Sequence, residues 1–349
     1  MFGTYTIKNI GIKNSAQISK YITKAIERSY GPQVNMDLHF FSYDLPIKDT
    51  SYFKEILTGC KETIISLKIP LKEDIKILLH PDLELKNIKR LDIALNYKEH
   101  STHKELCELI LAKYGDKLEH FGVDCLRIPE NTVFQFPQLP RLESLKFSDA
   151  SSNKTVNIFV NAINREKITH LSLDFVPDFT FPNLQHLELT RACYSEHFDM
   201  IKRHRKTITK LIFNATNGEG SLLNLEDMTI PNLLYLKLDH VYGDFFLELI
   251  TTNSNTITKL ILEGFNPEIH NLQHFLQDVE MKRLKSLYLR DTISINMNGY
   301  REAKLKWIKA FGRNMITVLW IFDDDEYKYI RISKEEMSYL KMEALALQY

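Results

Sequence analysis

His100, His103 and Cys107 lie close enough in the chain to hold a metal ion at one helix start. A closed metal site needs a fourth ligand and a layer of supporting groups. The neighbouring sequence supplies none, so this trio reads as a solvated helix start. The acidic run from Asp323 to Glu326 could hold a cation. It lacks the glycine and final glutamate of a calcium loop, and reads as a charged hairpin turn. Arg203-His204-Arg205-Lys206 could touch phosphate, but cations at a helix C-terminus also complement its dipole. Asn217-Gly218-Glu219-Gly220 has no Gly-Lys-Ser/Thr after it, so it is no phosphate loop. Serines, histidines and aspartates abound, yet no serine stands in a Gly-x-Ser-x-Gly context. Spacing alone thus names no catalytic residue, no metal set and no cofactor, and the expectation is a chain that binds and is not an enzyme.

Bulk composition narrows the partner. Lys+Arg and Asp+Glu both number 45, giving zero formal charge. Nucleic-acid affinity rests on a surplus of basic charge, so a nucleic-acid partner is not expected. Cys60, Cys107, Cys125 and Cys193 form no C-x-x-C pair and read as buried thiols of a reducing compartment. The first fifteen residues carry no apolar run behind a basic start, so no secretory leader is expected. No apolar run reaches the roughly 18 residues of a membrane helix. The expected location is the cytosol or nucleus, with no membrane association.

The elements follow from a repeated strand. Thr207–Phe213 reads TITKLIF and Thr256–Leu262 reads TITKLIL, each with apolar residues at positions one, four and six. One set of copies follows a short loop, often with proline: Ile88-Leu91-Ile93, Leu142-Leu145-Phe147, Leu184-Leu187-Leu189, Leu233-Leu236-Leu238 and Leu284-Leu287-Leu289. A second set follows a helix: Ile64-Leu67-Ile69, Leu118-Phe121-Val123, Ile168-Leu171-Leu173, Ile208-Leu211-Phe213, Ile257-Leu260-Leu262 and Ile316-Leu319-Ile321. Stripes such as Leu106-Ile110-Tyr114, Val156-Phe159-Val160-Ile163 and Phe245-Phe246-Leu249-Ile250, with the shorter Phe198-Ile201 and Leu305-Ile308, place one apolar helix face between them. The step from Ile168 to Leu184 is too short for a helix and predicts an extended return through Pro177–Pro182.

One strand and one short helix cannot bury an apolar face alone, whereas stacked neighbours close a continuous core. Crossovers returning to the same end make the strands parallel and the coil right-handed. The expectation is an α/β solenoid shaped as a horseshoe, strands on the concave face and helices or loops outside. It forms one domain over residues 1–349: an N-terminal helix and strand cap over 1–59, repeats over 60–322, and a hairpin and helix cap over 323–349. The cap helices are expected over Ser15–Tyr30 and from Ser333 to about Leu347, and a first strand over Met36–Ser42.

Over roughly residues 60–322 the repeated L-x-x-L-x-L strand resembles the leucine-rich-repeat superfamily, whose repeats run 20–29 residues. Irregular repeat length and alternating helix and loop crossovers look most like intracellular F-box/leucine-rich-repeat proteins. The superfamily's asparagine or cysteine after the strand is mostly replaced here, by Ala150, Val176, Thr216, Val241 and Phe265. The first 35 residues offer one helix and no recognisable F-box, so on this resemblance the adaptor-binding part is expected to be lost or to lie outside this chain. The resemblance implies an interaction scaffold that holds another protein in its concavity. The alternative is the substrate-recognition subunit of an F-box ubiquitin ligase, with a cullin-ligase adaptor as a further partner.

With positions one, four and six inward, positions three, five and seven line the open face. The C-terminal half of that face gathers Ile212, Tyr235, Ile261, Tyr288 and Trp320 among Lys210, Lys237, Asp239, Lys259, Glu263 and Arg290. Aromatic anchors within a charged rim suit a protein-binding hot spot.

Overall fold

The computed structural model describes residues 4–11, 35–41, 51–69, 74–95, 102–127, 133–137, 139–150, 152–190, 195–214, 228–239, 245–263, 281–290, 317–322 and 328–332. The two expected cap helices, the Leu305-Ile308 stripe and the run Asp323–Glu326 lie outside these residues. The chain divides into two compact units, Met1–Asn183 and Leu184–Tyr349.

Unit 1 carries β1 (Thr4–Gly11), β2 (Asn35–Phe41), β3 (Ile64–Ile69), β4 (Arg90–Ala94), β5 (His120–Asp124), β6 (Ser144–Ser148) and β7 (His170–Leu173). Each pairs with the next, and every pairing is parallel. Helices α1 (Ser51–Cys60), α2 (His103–Tyr114) and α3 (Asn153–Asn161) make the crossovers ahead of β3, β5 and β7. Unit 2 repeats the plan with β8 (His186–Leu189), β9 (Lys210–Asn214), β10 (Tyr235–Asp239), β11 (Lys259–Glu263), β12 (Ser286–Arg290) and β13 (Thr317–Phe322), paired in parallel order. β14 (Lys328–Ile332) pairs antiparallel with β13, as the alternating residues after the acidic run suggest. Helices α4 (Ser195–His204) and α5 (Phe245–Thr252) precede β9 and β11. For β1, β2, Leu287–Arg290, β13 and β14 the backbone alone is described.

The apolar frame read from the sequence is the core. In unit 1, Leu67 pairs with Leu91, Leu91 with Phe121, Phe121 with Leu145 and Leu145 with Leu171. In unit 2, Leu187, Leu211, Leu236, Leu260 and Leu287 form the same row. Positions one, four and six are buried from Ile64 to Leu262, none more than 3% exposed. Residues 174–185 hold no helix, in keeping with the extended return expected there.

The TIT stretch has a cause beyond its central isoleucine. Thr207 Oγ1 donates to the His204 carbonyl (3.1 Å) and Thr256 Oγ1 to the Asn253 carbonyl (3.0 Å). Each closes the C-terminal end of the preceding helix, where carbonyls lack intrahelical partners. Thr63 does the same for Cys60 (3.0 Å). The second threonine reaches sideways. Thr209, Thr258 and Thr169 donate to the carbonyls of Gln185, Leu234 and Glu143, each just ahead of the preceding strand.

An asparagine series answers them from the loop-type strands. The amides of Asn87, Asn183 and Asn232 donate to the carbonyls of Glu62 (2.6 Å), Glu166 (2.7 Å) and Lys206 (2.8 Å), each ahead of the preceding strand. Asparagine hydrogen bonds therefore do cross between successive repeats, at the strand entrances.

Helix faces match the expected stripes with one rotation. Val156, Phe159 and Val160 of α3 are buried, as are Leu249 and Ile250 of α5. Ser152 caps α3, its Oγ accepting from the Thr155 N–H (3.3 Å). In α2 the buried face is His103, Cys107, Ile110, Leu111 and Tyr114, while Leu106 is half-buried. The core side thus lies one residue away from the Leu106-Ile110-Tyr114 stripe. Phe159 packs against Phe121, Phe134, Phe136 and Phe147 with ring centroids 4.7–6.0 Å apart.

β1 is an element the sequence reading missed. Its pairing with β2 shifts register between Ile7 and Ile10, so Lys8-Asn9 interrupts the two-residue period that marks a strand.

Candidate functional site

On the non-core face of unit 2, β9, β10 and β11 share one burial pattern, half-buried at positions three, five and seven. Parallel register turns these positions into rows. Lys210, Tyr235 and Lys259 are paired neighbours in the first row. Ile212, Lys237 and Ile261 form the second, and Asn214, Asp239 and Glu263 the third.

Tyr235 is held from both sides. The Lys210 ammonium lies 4.8 Å and the Lys259 ammonium 5.3 Å from its ring centroid. Such cation–π contacts contribute roughly 0.5–1 kcal/mol at exposed sites and more when desolvated. Burial depresses the Lys210 pKa, opposed by Glu188 and reinforced by Lys259. Lys237 behaves differently. Burial lowers its pKa, but Glu263 Oε2 at 2.6 Å and Asp239 Oδ2 at 3.4 Å outweigh that, and the net shift is upward. Asn214 Nδ2 donates to the same Asp239 carboxylate (3.4 Å). The face therefore presents an aromatic ring between two cations at the strand entrances, isoleucines in the middle, and a Lys–Asp–Glu cluster with one carboxylate in excess toward the exits.

The register thus brings Lys210, Ile212, Tyr235, Lys237, Asp239, Lys259, Ile261 and Glu263 together as expected. The side chains of Tyr288, Arg290 and Trp320 lie outside the described residues, but their backbones are placed. Tyr288 pairs with Ile261 and Arg290 with Glu263, the anticipated rows. Trp320 requires a correction. It pairs with Leu289, and Leu319 pairs with Tyr288. The stretch Ile316–Phe322 is apolar at nearly every position, so alternation offers no frame and pairing decides it. A shift of one residue exchanges the two faces of a strand, so the row of Ile261 and Tyr288 continues into Leu319, not Trp320.

Unit 1 holds a second cluster that no sequence spacing announced. Asp92 on β4, His120 on β5 and Ser144 on β6 meet through consecutive parallel pairings. His120 Nε2 lies 3.2 Å from Asp92 Oδ1, and His120 Nδ1 lies 2.7 Å from Ser144 Oγ. His120 is buried and Ser144 half-buried. Only the repeat frame could have found them, by reading positions three and five across neighbouring strands.

The other candidates take structural places. His103 is buried and its Nδ1 accepts from the Arg127 N–H (3.2 Å). Cys107 is buried, and burial pushes its thiol up to about 12. His100 lies outside the described residues. Lys202, Arg203 and His204 occupy the last turn of α4, where the charges of Lys202 and Arg203 complement the dipole. Cys60, Cys107 and Cys125 are buried and form no disulfide, and Cys193 lies outside the described residues. Among the described residues no group of three or more His, Cys, Asp or Glu side chains is gathered for a metal, and no helix is long and apolar enough to cross a membrane. Neither a scan of protein-family models nor a search of curated proteins finds a match to this chain.

Proposed function

We propose that this chain is a protein-binding scaffold of the leucine-rich-repeat type, which engages another protein through the non-core face of β9–β11. The observation that supports this most is the Tyr235 ring, held half-buried between Lys210 and Lys259 with Ile212 and Ile261 beside it. An aromatic side chain fixed before binding loses little rotamer entropy on contact. Interface hot spots are enriched in such tyrosines, with surrounding groups excluding water. Lys210 and Lys259 favour acidic groups on the partner at the strand entrances. The Lys237–Asp239–Glu263 cluster leaves one negative charge in excess at the exits.

The test has two stages. Affinity purification of the intact protein from its own cells identifies the partner. Its affinity for the chain is then measured with Tyr235, Ile212 and Ile261 changed to alanine together. Loss of binding by about two orders of magnitude is expected, at roughly 2 kcal/mol or more for a hot-spot residue. Unchanged affinity in the folded triple variant overturns the assignment. Recovery of cullin-adaptor proteins would favour the ligase-subunit reading.

A further inference from the structure

Ser144, His120 and Asp92 stand in a chain of hydrogen bonds with a carboxylate at one end. Burial raises the carboxyl pKa of Asp92, but the hydrogen bond and charge of His120, with Lys146 and Lys68, outweigh it and hold the pKa below the usual value. At neutral pH the carboxylate only accepts, so His120 Nε2 carries the proton and donates to it. When the imidazole is neutral, Nδ1 keeps its lone pair and the Ser144 hydroxyl donates to it. The serine oxygen is left as the electron-rich end of the relay, on the non-core face of β6, where Ser144 is half-buried.

Gly122 shows that the arrangement is built in. It occupies the position between Asp92 and Lys146 in the parallel register. A Cβ there would overlap Asp92 Oδ1 and approach His120 Nε2 to 3.3 Å. Only glycine leaves the Asp92 carboxylate room to reach across to the imidazole. Three adjacent strands therefore each contribute one group, and the middle strand gives up a side chain to let them meet.

We propose that Ser144 is a nucleophilic serine, activated by His120 and oriented by Asp92, that accepts the acyl group of an activated ester bearing an anionic substituent. Ser144 Oγ attacks the acyl carbon as its proton passes to His120 Nδ1, and the Asp92 carboxylate stabilises the imidazolium. The new Oγ–C bond replaces the ester C–O bond, and His120 returns the proton to the departing alkoxide or phenoxide. Water attacking the acyl-serine, with the same proton transfers, releases the carboxylic acid. Lys146, two positions beyond Ser144 on the same face, and Lys68 supply the positive field that selects an anionic donor. Ser144 and His120 are the catalytic residues of this scheme, and Asp92 and Gly122 are positioning residues. The reactivity is independent of the binding face in unit 2. For unit 1 it replaces the expectation that no residue is catalytic.

The test treats the intact chain with 4-nitrophenyl benzoate and 4-nitrophenyl 4-carboxybenzoate, following nitrophenolate release and mapping the adduct by mass. The expected result is an acyl group on Ser144, formed at least about tenfold faster than on the same chain unfolded in urea. The carboxylated ester should react faster. Ser144→Ala should remove the adduct. Asp92→Asn and Gly122→Ala should each slow it at least about tenfold, with Asp92→Glu restoring part of the rate. Circular dichroism melts establish that each variant is folded. No adduct on Ser144 in the native chain, or a rate no higher than in urea, overturns the proposal. So does full reactivity in folded Asp92→Asn and Gly122→Ala. Equal rates for the two esters overturn the anionic assignment.

Discussion

Single side chains in this molecule carry more of the architecture than their number suggests. Asn253 is 2% exposed and spends its whole amide on backbone. Its Oδ1 accepts from the Ile230 N–H (2.7 Å), and its Nδ2 donates to the carbonyls of Leu249 (2.8 Å) and Met228 (3.1 Å). One residue thus ties the end of α5 to the loop entering β10. Asn253→Ala removes these three hydrogen bonds, each contributing about 0.5–1.5 kcal/mol net. Urea unfolding should show a loss of roughly 2–4 kcal/mol in the unit that contains it. His204 makes a pH prediction. It is buried, its Nδ1 donates to the Met200 carbonyl (2.9 Å), and burial lowers its pKa from the ordinary 6.5. Below that ordinary value the unfolded chain binds the proton more readily than the folded one, so stability falls as pH drops. The contribution is complete above about pH 6.5 and is lost as pH falls toward the folded value. Melting curves of the parent and a His204→Asn variant should differ in slope between pH 7.5 and 5, the parent falling more steeply.

At the scale of elements, the repeating unit is a strand pinned at its entrance. Two threonines ahead of β9 and of β11, and an asparagine ahead of β10 between them, bond to carbonyls at helix ends and strand entrances. Thr256→Val keeps the side-chain volume and β-branching but loses the bond to Asn253. It should cost about 1 kcal/mol, and Thr258→Val, at an exposed site, less. Differential urea unfolding of the two variants checks the order. This scale also shows what could be read in advance. The strand frame was legible because its apolar residues recur at fixed offsets, and burial selects those offsets in the copies from Ile64 to Leu262. The rows of Lys210, Tyr235, Lys259 and their neighbours followed directly from that frame. β1 and the register of β13 were not legible, for opposite reasons. In β1 a register shift breaks the alternation. In β13 nearly every residue is apolar, and only pairing with β12 fixes which ones align. The Asp92–His120–Ser144 cluster was hidden because its members are 24 and 28 residues apart, and local spacing carries no trace of such contacts.

For the whole molecule, charge sets the solution behaviour. Equal numbers of acidic and basic residues give a sequence pI of about 7.2. Proteins without net charge at the working pH associate more readily, because nothing keeps copies apart. Solubility should pass through a minimum near pH 7 and recover on either side, as light scattering across a pH series would show. The strand pairings add a consequence about how such a chain lengthens. Each parallel pairing leaves a free edge that accepts another strand running the same way, so duplicating a strand–crossover segment inside either ladder simply inserts another rung. The antiparallel β14 ends that permission: it presents the reversed direction to whatever follows. A further copy added after it would have to turn round before it could join. Gain or loss of repeats is therefore tolerated upstream of β13, and the hairpin works as a full stop.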